Sequence, residues 1–283
     1  MDGLGLLGTD SRKLTSAFRR YNVTATLAPV VDRLFDDASL FPPAQLPMQA
    51  ALAAHDRLRR DASTAPLVGP FLCPASRFPE LDTCLASGLP RPPELGVIAY
   101  DGDAPWATIY ATPGIVQVEA PQSARPPEPP RQVHRYVEIA RDLDTDAVAA
   151  ALDEMAAGGA RAKVRCGGPT PDDVPSCDWL AAALVGCAGR GLQLKATAGL
   201  HHPFRSTERG DLRHGLVNLL AAAGAAHAGA DVTTVSEVLA SEEAAADTSA
   251  LVEHAAGARE LLMSVGTCSI DETAEGLRSR GLL

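Results

Sequence analysis

The sequence predicts a (β/α)₈ barrel. Three observations carry that expectation: eight short apolar segments of strand length, Ala- and Leu-rich stretches of helical spacing between most of them, and a length of 283 residues that suits one such barrel. The eight segments are 33–37 (RLFDD), 67–73 (LVGPFLC), 95–100 (LGVIAY), 115–120 (IVQVEA), 134–140 (HRYVEIA), 161–166 (RAKVRC), 192–198 (LQLKATA) and 261–267 (LLMSVGT).

Taken in order, the intervening stretches divide into clear and weak. Residues 47–60, 146–157, 177–190 and 213–228 have helical spacing, and Asp144 or Thr145 and Ser176 are placed to cap the second and third of these. Gly158-Gly159 and the glycines at 189 and 191 sit where those helices should stop. The crossover at 101–114 leaves room only for a short helix, so strands 3 and 4 are the least secure. Residues 121–131 are too rich in proline for a helix or a central strand and read as a loop in place of a helix. Residues 1–25 are expected to form a preceding tail or helix, and residues 1–283 one barrel domain.

Composition narrows the function classes. The formal net charge of -10 argues against nucleic acid, which needs a basic face to displace counterions. No window reaches the apolar length of a membrane span, and the start does not resemble a secretory leader, so a cytoplasmic location is expected. The hydrophobic share is 46% and aromatic residues make up only 4%, so the core must be aliphatic. Six cysteines lie scattered without a C-x-x-C pair, which suits reduced thiols better than a zinc knuckle or a redox dithiol. A reactive thiol among them would need a basic neighbour.

Lysine occurs only at Lys13, Lys163 and Lys195, against 22 arginines. Arginine serves wherever a charge suffices, whereas an amine that must lose a proton can only be lysine. In barrel strands alternate residues point inward, and that phase sends Lys163 and Arg165 of strand 6 inside with Gln193, Lys195 and Thr197 of strand 7. A buried lysine beside a second cation is expected to have a lowered pKa and become nucleophilic. The other reading is an ion pair with Glu138 or Asp36. Gln117 and Glu119 share a phase on strand 4, and Tyr136 and Glu138 on strand 5, with Glu138 the first choice for acid/base work beside Lys163.

The C-terminal ends of the strands, where barrel active sites gather, supply further candidates. His201, His202 and Arg205 follow strand 7; Arg165, Gly167 and Gly168 could hold an anionic group. Asp36 and Asp37 end strand 1, one of them expected to cap or to pair with Arg77, and Ser269 follows strand 8 either as a binding hydroxyl or as a helix cap. No cofactor is implied. A divalent metal held by His201 or His202 with Glu138 and Asp36 is the alternative, without the usual histidine spacings.

The segments ARAKVRCGG, LKATAGLHHP and VGTCSIDE, with LFDDASLFPP and CPASRFPEL, resemble a group of hypothetical bacterial proteins common in actinobacteria. That resemblance runs over most of the chain and implies no activity. More distantly, the chain is similar to deoxyribose-phosphate aldolase and related class I aldolases. This likeness implies that Lys163 matches the Schiff-base lysine and Lys195 the lysine that tunes it. That family's longer strand motifs are not reproduced, and Arg165 and the His201-His202 pair are foreign to it.

The function expected from these residues is a cofactor-independent lyase or aldolase acting on a small anionic carbonyl compound, with Lys163 or Lys195 forming an imine. Glu138 and His201 or His202 would move protons, while Arg165 or Arg205 anchors the anion. A metal-dependent lyase or isomerase and a non-catalytic binding or scaffold barrel are the alternatives. The Ala-rich helix over 216–228 offers a face for pairing with a second subunit.

Overall fold

The computed structural model describes residues 26–100, 104–124, 126–208, 212–242 and 248–283, with backbone alone for 248 and 249. The sequence-predicted N-terminal segment lies outside the described residues. Eight parallel strands close into one barrel in chain order: β1 (Phe35–Asp37), β2 (Val68–Pro74), β3 (Leu95–Ile98), β4 (Ile115–Pro121), β5 (His134–Glu138), β6 (Arg161–Arg165), β7 (Leu194–Thr197) and β8 (Leu262–Thr267), which pairs back onto β1. Every expected strand is present, each within two residues of its expected bounds. β1 and β7 lose two residues at their start, and β3 and β5 stop two residues early.

The helices follow the same order. They are α1 (Ala28–Val31), α2 (Met48–Arg60), α3 (Phe78–Ala86), α4 (Trp106–Ala111), α5 (Thr145–Ala157) and α6 (Cys177–Gly189), then α7 (Leu216–His227), α8 (Val232–Ala240), α9 (Thr248–Ala255), α10 (Ala258–Leu261) and α11 (Ile270–Arg278). Asp144 caps α5 by accepting from the Ala147 N–H, and Ser176 caps α6 by accepting from the Trp179 N–H, so each satisfies an orphan donor of the first turn. The crossover from β3 to β4 holds the short α4, and a single helical turn, Gln122–Ala124, follows β4.

Alternation along the strands divides the residues as the barrel requires. Ala162 and Val164 of β6, Cys166 just after it, and Leu194 and Ala196 of β7 face the helices in one apolar cluster that also takes in α5, α6 and α7. A second cluster joins β2 and β3 to α2 and α3 through Phe71, Cys73, Leu52, Phe78 and Leu81. The opposite phase fills the barrel with polar groups: Asp36, Gln117, Glu119, Lys163, Lys195 and Ser264 are all buried. A polar interior is costly to desolvate, so each of these groups needs a partner there.

The long connection from β7 to β8 departs from expectation. Helix α7, expected as an outer helix able to meet a second subunit, is instead buried from Leu216 to Ala226, with α6, α8, α9 and α10 packed around it. Uniformly apolar composition along a helix signals burial on all sides, and here the covering helices come from the same chain. The face expected for self-association is thus not exposed.

Candidate active site

Neighbouring strands set the site by register. Glu138 pairs with Lys163 across β5 and β6, Lys163 with Lys195 across β6 and β7, and Lys195 with Ser264 across β7 and β8. Inward side chains at these positions converge on the axis, and Glu119 of β4 reaches both lysines. Lys163 Nζ lies 3.0 Å from Glu119 Oε2 and 3.1 Å from Glu138 Oε2. Lys195 Nζ lies 2.6 Å from Glu119 Oε1 and also donates to Asp36 Oδ2. Gln117 Nε2 donates to Asp36 Oδ2 at 2.8 Å and to Glu119 Oε1 at 3.2 Å, and Ser264 Oγ donates to Asp36 Oδ2 at 3.1 Å. Lys195 Nζ also sits 5.8 Å from the centre of the Tyr136 ring.

These contacts reverse one expectation. The nearness of a second cation is expected to lower the lysine pKa; burial does push both lysines that way, and Lys195 pushes Lys163, but two carboxylates on each amine outweigh them. Both Lys163 and Lys195 are held above the ordinary lysine value. Burial opposes the charge of Glu119, yet its two lysines hold the carboxyl down at about 2. Asp36 is raised, because complete desolvation exceeds what Lys195 returns. Lys163 therefore rests as an ammonium between Glu119 and Glu138.

The two lysines differ in access. A cavity of about 720 Å³ opens at the C-terminal ends of the strands, and Lys163 and Arg165 line it along with Thr197, Gly168, His201 and Cys268. Its apolar wall comes from Leu72, Ile98, Phe41 and Tyr100, the last half exposed. That size is in the range of about 300–1,000 Å³ found for small-molecule pockets. Lys195 and Asp36 are fully buried and lie off this wall. Glu138 touches Lys163 but faces a shallower cleft with Gln122 and Ser123.

The structure brings together only part of the predicted set. Arg77 pairs with Glu80 at 2.7 Å on the same turn, and neither aspartate of β1 meets it. Asp37 accepts from the Ser39 N–H and pairs with buried His55 at 3.0 Å. Arg205 sits at 3.3 Å from His214 Nδ1 and is not part of the cavity wall, and His202 is exposed while His201 lines the cavity. Ser269 caps α11 by accepting from the Glu272 N–H, so the capping reading applies. Arg77, His202 and Arg205 lie outside the strands, where no strand period fixes the direction of a side chain.

The glycine pair after β6 divides too. Gly167 packs against Gly199, which has φ +75, and a Cβ at Gly167 would stand 3.1 Å from the Gly199 Cα, so glycine lets the two βα loops touch. Gly168 alone faces the cavity. The carboxylate of Asp173, behind Gly168, is engaged by Arg141 and Thr170. Arg165 has no counter-ion or hydrogen-bond partner for its guanidinium among the described residues and presents a second cation, beside Lys163, to the cavity.

The residue most undervalued from sequence is Glu119. Its inward phase is readable, but only the contacts of its two oxygens, Oε2 with Lys163 and Oε1 with Lys195, show that it joins both lysines. For the metal alternative, Glu138 and Asp36 are committed to lysines, and no group of three or more His, Cys, Asp or Glu suited to a metal ion occurs among the described residues. Among the same residues, no helix is long and apolar enough to cross a membrane.

No family model matches the chain, and no curated protein matches it. The resemblance to the actinobacterial group thus rests on the quoted segments alone. Among solved structures the chain is similar to one described as "QR15, an Aldolase", at 11% identity over 89% of this chain and 97% of that one, with a TM-score of 0.48.

Proposed function

We propose that the protein is an aldolase-like lyase that binds a small anionic carbonyl compound and forms an imine at Lys163. The observation that carries this reading is the position of one amine: Lys163 lines the cavity and is flanked by two carboxylates, whereas Lys195 is sealed behind it. In the empty site Lys163 is charged. A carbonyl group entering the cavity displaces a carboxylate from Nζ, and Glu138 takes the ammonium proton. The neutral amine then adds to the carbonyl carbon, and loss of water leaves an iminium that accepts the electron pair of the breaking carbon–carbon bond.

Lys195 acts through Glu119 in this scheme. By holding that carboxylate it limits the negative charge on Lys163 and so eases loss of the proton. Burial keeps His201 below its ordinary pKa, which leaves it neutral and able to accept the substrate hydroxyl proton from the cavity wall. Arg165 anchors the anionic end of the substrate.

Borohydride trapping tests the reading. The protein is incubated separately with pyruvate, acetaldehyde and dihydroxyacetone phosphate, reduced, and mapped by mass spectrometry. The expected result is a reduced adduct on Lys163 with at least one compound, absent from Lys163→Met. Adducts confined to Lys13, or none on Lys163 with any probe, would sink the imine mechanism and leave the lysines as ion-paired fillers of a binding barrel.

A further inference from the structure

The cavity wall carries a second nucleophile that the lysine chemistry leaves unused. Cys268 follows β8 and lines the cavity, partly buried. Its Sγ lies 3.5 Å from His201 Nε2. On the other side of the ring, Nδ1 lies 3.4 Å from Thr267 Oγ1 and 3.5 Å from Glu272 Oε2. An imidazole placed between a thiol and a carboxylate can take the thiol proton while the carboxylate balances the new charge.

The other cysteines lack these features. Cys73, Cys84, Cys166 and Cys187 are buried, and burial pushes the thiols of Cys73, Cys166 and Cys187 up to about 12. Cys177 is partly exposed but begins α6, off the cavity wall. Burial also raises Cys268 and lowers His201, so the two rest as neutral thiol and neutral imidazole. A resting thiolate would react with any electrophile in proportion to exposure; a neutral pair reacts only where the ring can remove the proton as the new bond forms.

We propose that Cys268 with His201 is a covalent-modification site for small soft carbon electrophiles that enter the cavity, and that an adduct there blocks access to Lys163. In the step, Sγ bonds to the electrophilic carbon and the leaving group departs with the electron pair of its bond. The thiol proton passes to His201 Nε2 and then to solvent. The thiol and the lysine share one cavity, so the added group occupies space a carbonyl ligand needs. The site stands whether or not Lys163 forms an imine.

Iodoacetamide is the probe: iodide leaves, and every modified cysteine carries a mass tag. The full chain is treated at neutral pH and sampled over time by peptide mass spectrometry, with Cys177 as the internal control. Cys268 is expected to label first, and His201→Gln to slow it roughly tenfold while the Cys177 rate stays unchanged, a conservative fraction of what general bases contribute. Faster labelling of Cys177 in the wild-type chain overturns the proposal without any variant. Equal Cys268 rates in wild type and His201→Gln overturn the role of the ring. Blocking is read separately: once Cys268 is fully alkylated, a β-diketone at alkaline pH is expected to lose Lys163, and undiminished labelling of Lys163 overturns that half.

Discussion

A carboxylate shared between two ammonium groups decides the state of this site. Glu119 divides its oxygens between Lys163 and Lys195, and Glu138 and Asp36 each add a second carboxylate to one lysine. Removing one carboxylate from Lys163 therefore lowers its pKa. In Glu138→Gln, labelling of Lys163 by a small β-diketone is expected to begin at lower pH than in the wild-type chain, where it is negligible at pH 7; an unchanged pH profile, followed by mass spectrometry, would show that Glu138 does not set the charge of Lys163. Lys195→Met has a different consequence, because it leaves Asp36 buried without its lysine and Glu119 with Lys163 alone. The expected loss is about 3–5 kcal/mol in urea unfolding, the usual cost of breaking a buried pair from one side. Much of this was legible from strand phase, which put both lysines, Glu119 and Glu138 inside. The choice of partners was not, because phase gives direction and only register gives height along the barrel axis.

Strands and capped helices were legible because their signals are local. Asp144 and Ser176 stand one residue before the helices they cap, and β6 alternates charged and apolar residues along its length. The helices between β7 and β8 were not legible to the same degree, since nothing in one helix names what covers it. Helix α7 shows the physical reason: its Gly224 is placed so that an added methyl group would overlap the carbonyl oxygen of His254 on α9. Glycine permits this close packing, and no periodic pattern announces it. Gly224→Ala, favourable for an isolated helix by about 1 kcal/mol, is therefore expected to lower the melting temperature because α9 must move away. A variant that melts higher than the wild-type chain would mean that α9 yields without loss. The loops resisted reading for a related reason. His201 and His202 are adjacent, yet one lines the cavity and the other faces solvent, a difference set by the turn and not by residue type.

Within the lysine cluster at the centre of the barrel, the charges do not cancel. Lys163 and Lys195 face Asp36, Glu119 and Glu138, two cations against three carboxylates when all are ionised, so one carboxylate has reason to keep a proton. Asp36, raised by complete burial, is the group placed to hold it. Glu119 contributes to the acid side of the stability curve. Its carboxyl is at about 2 in the folded chain against an ordinary 4.5, so it contributes stability that is complete above the ordinary value and is lost as pH falls from 4.5 toward 2. Asp36 works in the opposite sense, because protonation removes a buried charge, and it softens the loss. Asp61, Asp153 and Asp231 are also lowered, but they are exposed and water screens what they contribute. Glu119→Gln keeps the size of the side chain, removes its titration and leaves each lysine one carboxylate. The urea midpoint of the wild-type chain is expected to fall between pH 7 and pH 3, and the fall to be smaller in Glu119→Gln. Equal falls would place the acid sensitivity of the fold outside the barrel interior.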